Sequence, residues 1–246
     1  MGETFNQDPF GAEGAEPDAD KNFLVVGIGA SAGGVQALKD FFEHVPANSG
    51  MAYVVILHLS PDHDSQLAEV LQSSMTMPVT QVTRRVRVVP DHVYVIAPNK
   101  SLELKDGYID VSDATGSEER RAPVDIFFRT LAASHGERAV SVVLSGTGAN
   151  GSMGMKRVKE MGGLCIVQDP EEAEYSDMPH HSLATGLVDY VLPVAKIPAQ
   201  IISYRQQLKL IRGPEASRGP AAAEAEADAL RDIFAQLRVR TGHDFS

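Results

Sequence analysis

Residues 23–34, FLVVGIGASAGG, constrain the fold of this chain more than any other stretch. Residues 23–26 form a continuous apolar run, too short for a helix and rich in β-branched side chains, which suits a strand buried on both faces. Glycines at 27, 29, 33 and 34 then permit a sharp turn or close backbone approach, and residues 35–42 resume at helical spacing. A strand thus enters a helix through a turn with one hydroxyl, Ser31, at its apex. Gly29-Ala30-Ser31-Ala32-Gly33 fits G-x-S-x-G, in which small neighbours let a serine Oγ project over a helix N-terminus where backbone N–H groups can hold an oxyanion. The same letters read as Gly27-x-Gly29-x-x-Ala32, a dinucleotide fingerprint, or as a tight structural turn. A ribose-binding fold calls for an acid near the end of the second strand. Here that strand, residues 52–57, is followed by His58, which favours the nucleophile turn.

Further apolar runs at residues 140–144, 164–168 and 188–192 alternate with helical segments at 123–135, 152–161, 178–185 and 194–210. Such alternation implies right-handed crossovers and a parallel sheet. The expected fold class is therefore α/β: a doubly wound, mostly parallel sheet with helices on both faces. Short β-rich stretches at 93–97, 101–104 and 108–111, split by Pro98-Asn99 and Asp106-Gly107, read as a hairpin at one margin. Residues 1–22 carry six acids against one base and read as a disordered acidic tail. Residues 23–211 form the expected main domain, and 212–227, rich in Ala, Glu, Gly and Pro, a linker. In 228–246, Leu230, Ile233, Phe234 and Leu237 mark an amphipathic helix that reads as the start of another domain.

The chain of 246 residues carries a net charge of −11 and has no Lys/Arg cluster, which argues against a nucleic-acid surface. The one cysteine, Cys165, sits in an apolar run and reads as core. With no secretory leader and no apolar run near membrane length, a cytoplasmic location without membrane insertion is expected. His58, Asp62, His63 and Asp64 lack a second ligand pair at zinc spacing, so no metal and no other cofactor is expected.

Three predicted strand ends carry chemistry: Ser31 after the first, His58 after the second, and the turn Gly148-Ala149-Asn150-Gly151 after the run 140–144. A serine needs a base to become nucleophilic at neutral pH, and imidazole is the usual one. A histidine satisfied by backbone at a strand end is the equally open reading of His58.

Residues 23–210 resemble the catalytic domain of the chemotaxis protein-glutamate methylesterases, the CheB family. The matching residues are Gly29-Ala30-Ser31 with Gly33-Gly34, His58 in LHLSPDH, LSGTGANG at 144–151, and QDP at 168–170 with Met178-Pro179. The resemblance implies a doubly wound sheet and a Ser-His-Asp triad that hydrolyses glutamyl methyl esters on methyl-accepting chemoreceptors and deamidates some of their glutamines. Ser31 matches the nucleophile and His58 the base, with Ala32, Thr147 and Gly148 placed to position substrate and oxyanion. The third member departs: Asn150 stands where the family motif carries aspartate. An amide is neutral and can favour the unproductive imidazole tautomer, a swap that costs about 10⁴ in kcat in a serine protease. The alternative expectation is therefore a silent docking module. Asp169 is a candidate substitute acid, and Asn150-Gly151 is a pair prone to deamidation. Residues 233–246 are similar to the start of the receptor methyltransferases, the CheR family, so a fused or associated methyltransferase is an expected partner.

Overall fold

A computed structural model describes residues 22–57, 66–116 and 121–212. All but one residue of the expected acidic tail and of the linker, and the whole of the final amphipathic helix, lie outside them, as do His58 and the rest of the His/Asp cluster. The chain divides into two compact units, of which the first ends at Ile202 and holds every strand found among the described residues.

Among the described residues ten strands and six α-helices follow in the order β1 (Val25–Ala30), α1 (Gly34–Glu43), β2 (Ala52–Leu57), α2 (Leu67–Ser74), β3 (Val79–Val82), β4 (Val86–Arg87), β5 (His92–Ile96), β6 (Lys100–Lys105), β7 (Tyr108–Asp113), α3 (Pro123–His135), β8 (Ala139–Val143), α4 (Ser152–Glu160), β9 (Leu164–Gln168), α5 (Asp177–Ala184), β10 (Tyr190–Leu192) and α6 (Ile197–Arg212). Seven of them form one sheet in the order β10-β9-β8-β1-β2-β5-β3, and every pairing in it is parallel. β1 is the centre. From it the chain first winds outward through β2, then returns to the other flank at β8, so the order reverses between β1 and β8. In a doubly wound sheet a crevice opens above the carboxyl ends of the strands at that reversal.

Alternation along the strands sorts the core onto two faces. Val25, Ala52, Val54 and Ile56 pack in one cluster with Val124, Phe127, Phe128 and Leu131 of α3. On the other face Tyr53 of β2 meets Phe41 and Phe42 of α1, with ring centroids 6.2 and 5.5 Å away. Cys165 is fully buried, and burial pushes its thiol up to about 11, so it is packing material rather than a nucleophile.

Two details differ from the sequence reading. The stretch expected at the head of the margin hairpin, now β5, lies inside the main sheet between β2 and β3. Its residues Val93, Tyr94 and Val95 are essentially inaccessible, and an apolar run of that kind gains more between two parallel strands than at an edge. Only β6 and β7 form the hairpin, joined by Asp106 and Gly107, both at positive φ, and extended by β4 into a separate antiparallel sheet.

Gly27 and Gly29 are the second difference. Both are strand residues, and the turn begins only after Ala30. Their missing side chains let α3 lie close on β1: a Cβ on Gly29 would stand 2.3 Å from Val124 Cγ1. Replacing a strand glycine usually recovers about 0.5–1 kcal/mol of backbone entropy. Here the overlap should outweigh that gain, and Gly29→Ala is expected to destabilise the domain by about 1–3 kcal/mol in urea unfolding.

Candidate active site

The site is built from two turns that leave adjacent strands at the switch point. After β1, Ser31 begins a turn that Gly33 closes in the left-handed region at φ 72°, and α1 follows at Gly34. The turn is held by its main chain. The Ser31 N–H donates to Ser145 O at 3.0 Å, and the Gly34 N–H donates to Ser31 O at 2.9 Å. Ser31 is half-buried, so its side chain is neither sealed in the core nor fully in solvent.

The second turn follows β8 and is locked by motif residues to which the sequence alone assigns no role. Ser145 is buried; its N–H donates to Gln168 Oε1 at 2.8 Å and its hydroxyl donates to Ala32 O at 2.9 Å while accepting from Tyr175 N–H. One serine thereby ties together the β1 turn, the β8 turn and the segment after β9. Gly146 must be glycine, because a Cβ there would lie 2.2 Å from Met178 Sδ, 2.9 Å from Ser31 Cβ and 3.0 Å from Ser31 N. The signal available in the sequence was the pair of motifs themselves, LSG and QDP, whose polar residues proved to be fasteners.

These bonds narrow the candidate oxyanion donors. The Ser31 and Gly146 N–H groups are already given to Ser145 O and Tyr175 O, and the Gly148 N–H faces Asp177 Oδ2 at 3.4 Å. The Ala32 and Thr147 N–H groups meet no acceptor among the described residues. Ala32 precedes the N-terminus of α1, whose first turn carries no acid to neutralise the partial positive charge of its orphan N–H groups.

Asn150 sits at the end of the second turn, just before Gly151, which caps α4 at φ 101°. Its Oδ1 accepts the Asp125 N–H at 3.2 Å. That bond fixes the amide orientation, since a flipped amide would set Nδ2 against a donor. Nδ2 is then buried with no hydrogen-bond partner among the described residues. Asp125, in the first turn of α3, spends its own Oδ1 on the Gly151 and Gly154 N–H groups at 3.0 and 2.6 Å. Burial pushes its carboxyl up, against the opposing pull of those backbone donors and of Arg129. An acid two residues after a helix-opening proline was the sequence signal for it.

Asp169 is engaged within its own loop. Its Oδ1 accepts the Glu171 N–H at 3.0 Å and its carbonyl accepts the Glu172 and Ala173 N–H groups, so it caps its own loop. His58 lies outside the described residues. The strands before the two predicted catalytic positions do end in register, with Ala30 opposite Leu57. Among the described residues no group of three His, Cys, Asp or Glu side chains could hold a metal ion, and no helix is long and apolar enough to cross a membrane.

Residues 26–201 match the family profile of the CheB methylesterases. This chain belongs to the CheB methylesterase family. A Hydrogenovibrio crunogenus protein-glutamate methylesterase/protein-glutamine glutaminase is 34% identical over 206 residues, covering 82% of this chain and 54% of its own length. A Leptospira interrogans relative is 30% identical over 186 residues and is covered over 96% of its length. The chain thus spans about half of the first relative and nearly all of the second. Among solved structures, the CheB methylesterase catalytic domain of Thermotoga maritima superimposes with a TM-score of 0.68 at 29% identity, covering 74% of this chain and 98% of that one. The doubly wound fold expected from the alternating strands and helices is the fold of this family.

Proposed function

We propose that this chain is a serine hydrolase that removes methyl esters from glutamyl side chains of chemoreceptors and deamidates receptor glutamines. The observation that carries the reading is Ser31. It stands half-buried at the apex of the β1–α1 turn, at the topological switch point, in a chain of the methylesterase family. Relatives named protein-glutamate methylesterase/protein-glutamine glutaminase supply the substrate class.

In this mechanism Ser31 Oγ attacks the ester carbonyl while His58 takes its proton. The chain leaves β2 toward His58 beside the point where it leaves β1 toward Ser31, which is the supporting geometry. Charge on the carbonyl oxygen is met by the Ala32 and Thr147 N–H groups, reinforced by the N-terminus of α1. Methanol departs with the proton from His58; water activated by the same imidazole then releases the acyl group from Ser31. With a glutamine substrate the leaving group is ammonia.

The carboxylate that would orient His58 is replaced by Asn150. The Asp125 N–H holds Asn150 Oδ1, so what the amide has left to give a partner is a donor, Nδ2, rather than an acceptor. An imidazole facing that donor is held with its proton on the wrong nitrogen for a base. Slow turnover is the expected consequence. Cytoplasmic chemotaxis signalling, with methyl-accepting receptors and a fused or associated methyltransferase as partners, completes the proposal. It is tested by incubating the chain with methylated receptor and measuring methanol, together with labelling by a fluorophosphonate, which should attach at Ser31. Absence of both methanol and label would overturn it.

A further inference from the structure

Asn150 is placed among three groups that act on one bond. Its Cγ oxygen accepts the Asp125 N–H at 3.2 Å, which polarises the amide carbon. The next residue is glycine, so no side chain shields the nitrogen that follows, and that Gly151 N–H points at Asp125 Oδ1 at 3.0 Å. The carboxylate cannot swing away, because the same oxygen also accepts the Gly154 N–H at 2.6 Å. The leaving nitrogen, Nδ2, is held by no hydrogen bond among the described residues. A nucleophile with a base on its proton, an electrophile with a donor on its oxygen and an untethered leaving group are the parts of an intramolecular acyl transfer.

We propose that Asn150-Gly151 is a self-deamidation site, with Asp125 as its base, that converts Asn150 into the aspartate a triad requires. Gly151 N attacks Asn150 Cγ while its proton passes to Asp125 Oδ1, and negative charge on Oδ1 of Asn150 is met by the Asp125 N–H. The Cγ–Nδ2 bond breaks, and Nδ2 leaves as ammonia, taking up one proton in place of the one Gly151 N gave up. Water then adds to Cγ of the cyclic imide and the Cγ–N bond breaks, returning the electron pair and a proton to Gly151 N. Residue 150 is left as a carboxylate in an unaltered main chain. One water is consumed and one ammonia released, with no change of oxidation state. Burial, which raises the Asp125 carboxyl, makes that group a better proton acceptor than an exposed aspartate. The modification stands on this geometry alone. Its value to catalysis rests on the hydrolase reading: one oxygen of the new carboxylate keeps the Asp125 N–H and the other becomes an acceptor.

The test follows freshly prepared full chain in heavy-oxygen water by mass spectrometry of the tryptic peptide 139–156, beside the same peptide free in solution. The proposal predicts faster conversion in the folded chain, heavy oxygen at residue 150, and aspartate as product. Asp125→Asn, which keeps the shape and removes the base, should slow conversion about 100-fold. Should that variant fail to fold, the comparison of folded chain with free peptide decides alone. A folded chain that keeps its amide while the peptide converts, or that yields isoaspartate alone, overturns the proposal. Methanol release measured on the same samples separates the two readings: aspartate without methanol upholds the modification and counts against the hydrolase.

Discussion

Replacing Ser31 with alanine is expected to abolish methanol release from methylated receptor while leaving the fold intact. The expectation of an intact fold follows from where the bonds are. Two bonds that shape the turn run through Ser31 N, given to Ser145 O, and Ser31 O, taken by the Gly34 N–H, and both are main-chain bonds that alanine retains. Alanine adds no atom, and the close approach of Gly146 to Ser31 concerns Cβ and N, which are unchanged. What disappears is the nucleophile. Removing the serine of a comparable triad costs roughly 10⁶ in kcat, leaving only what binding and the oxyanion donors supply. Circular dichroism and urea unfolding should match the native chain, and methanol release should fall to background. Undiminished release would place the chemistry on another group and end the serine hydrolase reading.

The second large effect runs in the opposite direction. Asn150→Asp should raise turnover over freshly prepared native chain by up to about 10⁴-fold, the factor associated with a triad aspartate against asparagine. The local geometry accommodates the change: one carboxylate oxygen takes over the Asp125 N–H bond, and the other presents an acceptor where Nδ2 now presents a donor. The gain has a cost in stability. The new charge stands one residue from Gly151, whose N–H is bound by the buried Asp125 carboxylate, and like charges so placed push a carboxyl higher still. Asp125 already titrates above its ordinary value because of burial. A carboxyl whose folded-state pKa is raised favours the folded state while protonated and loses that advantage as pH rises through it. The variant's deficit against the native chain should therefore be full above the raised Asp125 pKa and shrink on acidification, as thermal unfolding across acid pH would show. Equal turnover in native and variant chains would mean that something other than residue 150 orients the base. A gain confined to the variant would mean that the unconverted native domain is the silent docking module.

The clearest part of the reading was that which depends on local chemistry. Apolar, β-branched runs of five or six residues between helical segments can be buried only as central strands, and β2, β8 and β9 formed where those runs stand. Pro123 opens α3, and Asp106-Gly107 makes the hairpin turn, because each residue restricts or extends φ on its own account. The turn around Ser31 was legible for the same reason: small residues between a strand and a helix have few other uses.

Other features depended on residues distant in sequence. β5 reads like a margin strand by composition, yet its neighbours are β2 and β3, because burial of both its faces is decided by the whole sheet and not by its own periodicity. Gly27 and Gly29 look like turn glycines until α3 is laid against them, and only then is the missing Cβ seen to be a matter of packing. The sequence showed Asn150 as a substitution at a triad position. Its amide orientation, the buried Asp125 carboxylate on the next N–H, and the spent donors of Ser31 and Gly146 belong to the fold alone. A hydrogen bond between residues 25 positions apart leaves no trace in local pattern, and it is such bonds that decide which groups of this site remain available for chemistry.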